Sequence, residues 1–160
     1  MLVEYGDYEC PFCGEAHYVV GNLLRQGQGR IALAFRNFPL TTVHPHAQGA
    51  AEAAEAAGAQ DAFWEMHDVL FENQDALDGD SLLEYADALR LDVARFADDL
   101  VSRRYADRVR EDFLSGVRSG VNGTPTFFIN GLRHDTGLDA LSDALAAALS
   151  KALSRKEISR

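Results

Sequence analysis

The sequence predicts an α/β fold, with a βαβ unit at the start, a ββα unit at the end and an all-helical insertion between them. Three observations carry that prediction. Alternating β-branched and aromatic residues mark strands near both ends of the chain. Apolar residues at helical spacing fill the interval from about residue 44 to 119. No repeat, low-complexity linker or shift of composition divides the 160 residues. A single domain over residues 1–160 suits that length, and 47% hydrophobic residues suffice for a core of its own.

Leu2 to Tyr8 alternates as a first strand. Cys10-Pro11 opens a helix, with Pro11 at the first helical position, where a missing N–H costs nothing. Phe12, Ala16, Val19, Val20, Leu23 and Leu24 form its apolar stripe, and Gly27 or Gly29 ends it. Ile31 to Phe38 is a second strand with Arg36 and Asn37 interleaved. The resulting βαβ unit favours parallel pairing through a right-handed crossover. In the insertion, Ala47 to Ala57 is an alanine-rich helix stopped by Gly58, and Phe63, His67, Leu70 and Phe71 place a second, with Trp64 beside them. Asp80-Ser81 caps a third that carries Leu82, Leu83, Ala86 and Leu89. Asp92 to Leu100 is a short fourth, and Tyr105, Val109, Phe113 and Val117 mark a fifth. Gly120 to Gly123 breaks the pattern. Thr126 to Ile129, the Asn130-Gly131 pair and Leu132-Arg133 then read as a hairpin with a type I′ turn, and Leu138 to Leu153 closes the chain as an amphipathic helix. This order is that of a thioredoxin-like fold, βαβ…ββα, with a helical insertion.

The net charge is -10, from 15 basic and 25 acidic residues, so the chain repels phosphate backbones and anionic membrane surfaces. No run approaches the ~18 apolar residues of a membrane span, which predicts no membrane insertion. The start, Met1-Leu2-Val3-Glu4-Tyr5, has no basic segment leading into an apolar one. As written, the chain is expected in the cytoplasm; an incomplete N-terminus would allow an extracytoplasmic location.

Its two cysteines are separated by Pro11 and Phe12. A disulfide gains as a staple by closing a long loop, and a Cys-x-x-Cys loop is nearly the shortest there is. The pair is therefore read as chemistry. With Cys10 at the N-cap and Cys13 in the first turn, the free N–H groups and the helix dipole favour a thiolate at Cys10. Cys13 then resolves the mixed disulfide formed there. The competing readings are inert cysteines or half of a zinc site, to which His17 could add a ligand; a fourth ligand is not apparent.

The stretch Glu4-Tyr5-Gly6-Asp7-Tyr8-Glu9-Cys10-Pro11-Phe12-Cys13, with Gly123-Thr124-Pro125-Thr126-Phe127-Phe128-Ile129, resembles the DsbA-like branch of the thioredoxin superfamily. The resemblance extends over nearly the whole chain, including His44-Pro45-His46-Ala47. It is nearest to bacterial DsbA-like domains that occur alone or fused behind sodium/proton antiporters. It implies a protein disulfide oxidoreductase, with Thr124-Pro125 as a cis peptide facing the disulfide; an ordinary trans proline is the alternative. It also implies that Glu4 is a buried acid beneath the active site and exchanges a proton with Cys13, whereas a solvated strand glutamate would do nothing of the kind. The family's strongest oxidants carry histidine where this chain has Phe12, and Asp7 and Glu9 would raise the Cys10 pKa if close. A weaker oxidant is expected.

The implied partners are protein or small-molecule thiols and disulfides, and a redox recycling partner. No bound cofactor or metal is implied, because the two sulfurs carry the electrons. Two other functions compete: glutathione-dependent transfer or isomerisation, known in relatives with serine at the position of Cys10, and a binding module switched by its disulfide. Of the remaining histidines, His17 is expected on the surface and His67 in the core or an interface. His44 and His46 serve local capping and packing or a bidentate metal site. His134 has no assignable role.

Overall fold

The computed structural model describes residues 1–158, with side chains through Lys151; the last two residues of the predicted domain and the Leu153 side chain lie outside the described residues. Its elements are β1 (Leu2–Gly6), α1 (Pro11–Gly27), β2 (Leu33–Asn37), α2 (Ala47–Gly58), α3 (Phe63–Glu72) and α4 (Gly79–Ala88). There follow α5 (Val93–Val101), α6 (Ala106–Arg118), β3 (Thr126–Ile129), β4 (Leu132–His134) and α7 (Leu141–Ile158). The strands form one sheet in the order β2-β1-β3-β4, parallel between β1 and β2 and antiparallel elsewhere. This is a thioredoxin-like fold with five helices inserted between β2 and β3. Among the described residues no helix is long and apolar enough to cross a membrane.

Each local feature has a chemical cause. The expected first strand stops at Gly6 instead of Tyr8, because Asp7 turns the chain: its carboxylate accepts the Glu9 N–H at 2.8 Å and its carbonyl the Cys10 N–H at 3.2 Å. At α4 the N-cap is Asp78 and not Asp80. Asp78 accepts the N–H groups of Asp80 and Ser81, so the helix begins earlier than expected. The last helix starts at Leu141, three residues after the expected Leu138. In the hairpin, Asn130 and Gly131 have φ of 50° and 84°, the two positive values that a type I′ turn needs.

The core lies on both faces of the sheet. On one, Tyr8, Phe35, Met66, Leu70, Phe71 and Phe96 pack with the alanines of α2. On the other, Leu2, Ala16, Val20, Leu23, Phe127, Leu141 and Leu145 join α1 and α7 to the strands. Seven alanines of α2 are buried, and their small side chains let α3, α5 and α6 approach one helix from several sides. A related tight approach occurs at Gly116 of α6, where an added Cβ would lie 2.7 Å from the Phe38 ring and 3.0 Å from Tyr5. Gly116→Ala is therefore expected to lower stability by about 1–3 kcal/mol, read as a lower urea midpoint at unchanged slope. An unaltered midpoint would mean that α6 shifts freely.

Candidate functional site

The site forms where β1 leaves the sheet and α1 begins. Cys10 is the N-cap of α1, with φ -77° and ψ 120°, and Pro11 follows within the first turn. The Cys10 carbonyl accepts the N–H groups of Cys13 and Gly14 at 3.0 and 3.1 Å. This turn brings both thiols to the same helix end. Cys10 is 4% exposed and Cys13 wholly buried, and both are free.

Thr124 and Pro125, far away in sequence, meet the cysteines in space. Their peptide bond is cis. The Thr124 carbonyl lies 3.5 Å from Cys10 Sγ and accepts its S–H. The Thr124 hydroxyl is buried and has no hydrogen-bond partner. Glu4 stands in the central strand between Phe35 of β2 and Phe127 of β3 and is 2% exposed. Its Oε1 has no hydrogen-bond partner either. Thus four of the five expected residues form one contiguous site, and Glu4 lies buried in the strand that leads to it.

Electrostatics separate the two thiols. A hydrogen bond from the Cys13 thiol, aided by the nearby Thr124 side chain and the N–H groups of Phe12 and Cys13, outweighs burial and lowers the Cys10 pKa to about 5. Cys13 is driven far upward, first by burial and then by the neighbouring Cys10 and Glu4 charges. Its sulfur accepts the Asp7 N–H at 3.5 Å. Burial alone raises Glu4 to about 8.

Asp7 and Glu9, the two acids expected to weigh on Cys10, are each engaged by other partners. Asp7 is buried and accepts from the Glu9 and Leu40 N–H groups, with His44 Nδ1 2.8 Å from its carboxylate. Burial would depress His44, but this pairing raises its pKa. Glu9 accepts the His46 N–H at 2.6 Å and lies 3.3 Å from the His46 ring. These contacts give both histidines local structural partners. Phe12 is 66% exposed beside Cys10 and offers it only a backbone N–H. His134 bonds the Gly137 carbonyl at the hairpin exit.

Sequence reasoning missed Gln74, in the loop after α3. Its amide donates at 2.8 Å to the carbonyls of both Tyr8 and Cys10. An added Cβ at Gly14 would fall 2.2 Å from its Oε1, so glycine leaves room for this clamp. A glutamine in a loop carries no motif that announces such a contact. His67 was expected inside, and burial holds its pKa down to about 3. Its bond to the Tyr8 hydroxyl was not foreseen.

A family model described as thioredoxin matches residues 1–147. The chain is 48% identical over 161 residues to the Na(+)/H(+) antiporter NhaA 3 of Salinispora tropica, covering 99% of this chain and 24% of that protein. It is 51% identical over 148 residues to NhaA 1 of Salinispora arenicola, covering 91% and 22%. The chain therefore spans about a quarter of the length of these curated relatives. Among solved structures, BdbD from Bacillus subtilis superposes with a TM-score of 0.81 at 22% identity, covering 93% of this chain and 86% of that one. For α-DsbA1 from Wolbachia pipientis the TM-score is 0.79 at 19% identity, with 96% and 87% covered.

Proposed function

The chain belongs to the thioredoxin family, as a DsbA-like domain, and on that premise we propose that it exchanges disulfides with protein or small-molecule thiols through Cys10 and Cys13. One observation carries the reading: Cys10, at the helix start with a pKa near 5, stands over a fully buried Cys13 held protonated. A nucleophile and a resolving thiol need that division of properties.

In the reducing direction the Cys10 thiolate attacks one sulfur of a substrate disulfide and expels the other as a thiolate. Cys13 loses its proton and attacks Cys10 Sγ, which releases the second substrate thiolate and leaves the Cys10–Cys13 disulfide. Oxidation runs the same steps backwards, so two electrons move between sulfurs and no cofactor is required. Glu4, in its carboxylate form, is proposed to take the Cys13 proton. The Thr124 backbone beside Cys10 supports docking of an extended substrate by strand-like pairing, with Pro125 shaping that edge.

The experiment is an equilibrium titration of the pair in glutathione buffers. A thiol pKa near 5 lies between about 7 for thioredoxin and about 3.5 for DsbA. The potential is accordingly expected between roughly -270 and -120 mV, less oxidising than the strongest family members. Absence of a reversible two-electron transition would remove the oxidoreductase reading altogether.

The curated relatives favour a second reading. They are named as antiporters and are far longer than this chain, which supports a module whose redox state switches docking to a transporter. Redox-dependent association with little turnover would select this reading over the first.

A further inference from the structure

Two helices carry a group of ligating side chains apart from the cysteine centre. His17 lies on α1, one turn beyond Cys13, and His67 and Asp68 are adjacent on α3. One ligand atom of each falls within 4.8 Å of the others. We infer that His17, His67 and Asp68 bind a divalent first-row transition ion, Zn2+ above all, through both imidazoles and one carboxylate oxygen.

Two imidazoles and a carboxylate suit such ions and leave a fourth position for water. A tetrahedral ion with ligands at about 2.0–2.2 Å sets its donor atoms roughly 3.4 Å apart. His17 Nε2 and Asp68 Oδ1 are already 3.7 Å apart. The Asp68 side chain is 60% exposed and free to close the remaining gap.

The imidazoles are held in advance. His67 Nδ1 lies 3.1 Å from the Tyr8 hydroxyl, which leaves Nε2 as its second ring nitrogen. A metal-binding histidine commonly has an outer partner of this kind, which sets its ring orientation and tautomer. The His67 ring is boxed by Phe35, Phe71 and Trp64, at centroid distances of 4.7, 5.0 and 5.2 Å. His17 stacks on Phe71 at 5.1 Å and comes within 5.4 Å of His67. Asp68 and Glu72 both place negative charge near His17, against the single positive charge of Arg25. An ion pair between His17 and Asp68 would account for two of these residues; an ion uses all three.

The inference is independent of disulfide exchange, and its test removes the competing sulfurs. Untagged Cys10→Ser/Cys13→Ser protein is titrated with Zn2+ by calorimetry and with Co2+ by visible absorption. Trp64, the only tryptophan, reports in parallel through quenching by Cu2+. Saturable uptake of one ion per chain is expected. His17→Ala and Asp68→Asn should each weaken it by about tenfold or more, with circular dichroism unchanged. Asp68 is exposed, so its variant keeps the test open should His17→Ala disturb packing. No saturation, or uptake that survives both substitutions, would overturn the site.

Discussion

Cys13→Ser protein is expected to accumulate mixed disulfides at Cys10, while Cys10→Ser accumulates none and loses exchange by about 10³-fold or more. The asymmetry follows from position. Cys10 has a lowered pKa and a backbone neighbour in Thr124, whereas Cys13 is enclosed and strongly raised. Non-reducing gels after incubation with a disulfide substrate separate the outcomes. Trapping by both variants, or by neither, would sink the assignment of roles. The same site predicts a pH dependence. Alkylation of Cys10 in the reduced protein should rise through a midpoint near pH 5 and be level by pH 7. Because the folded pKa is depressed, thiolate stabilisation of the reduced protein is complete above the ordinary thiol pKa and is lost as pH falls through about 5. Across that window the reduced form gains on the oxidised form as pH rises. A midpoint near 9 would show that the helix end and its hydrogen bonds do not act on this sulfur.

Glu4→Gln should change two measurements in opposite senses. Exchange at pH 7 is expected to slow about tenfold to a hundredfold, since the amide cannot take the Cys13 proton. Stability at alkaline pH is expected to rise. Burial lifts the Glu4 pKa from 4.5 to about 8, so the folded state holds its proton more tightly than the unfolded chain. That contribution is fully present below about 4.5 and is lost as pH rises through 8. Each unit of displacement corresponds to about 1.4 kcal/mol, which makes the whole change several kcal/mol. Urea unfolding of the oxidised protein isolates the effect, because thiol ionisation then contributes nothing. The parent midpoint should fall between pH 5 and 8 and that of the glutamine variant should not. Parallel curves would place the carboxylate in contact with water, and unchanged kinetics would end its proposed role.

Much of this was legible in local pattern. Strand alternation, the Cys10-Pro11 helix start and the Asn130-Gly131 turn depend on near neighbours, and each appears in the fold. The weaker expectations depended on distant partners. In sequence Asp7 and Glu9 are two acids beside Cys10; only the returning chain shows that His44, His46 and the Leu40 N–H engage them. The start of α4 moved because either of two neighbouring aspartates could cap it, and only Asp78 accepts the free N–H groups.

By itself, then, the sequence determined the order of elements, the position of the cysteine pair at a helix start and the resemblance that singled out Thr124, Pro125 and Glu4. Periodicity and capping act within a few residues, and one chain records them directly. Only the tertiary structure decided which groups come together: the Thr124 carbonyl on Cys10, the Gln74 clamp on the turn at Cys10, and His17 brought beside His67 and Asp68. Hydrogen bonding and desolvation depend on what the folded chain carries to within a few ångströms and what it shuts away from water. The pKa values that give the two thiols and Glu4 their chemistry are set there.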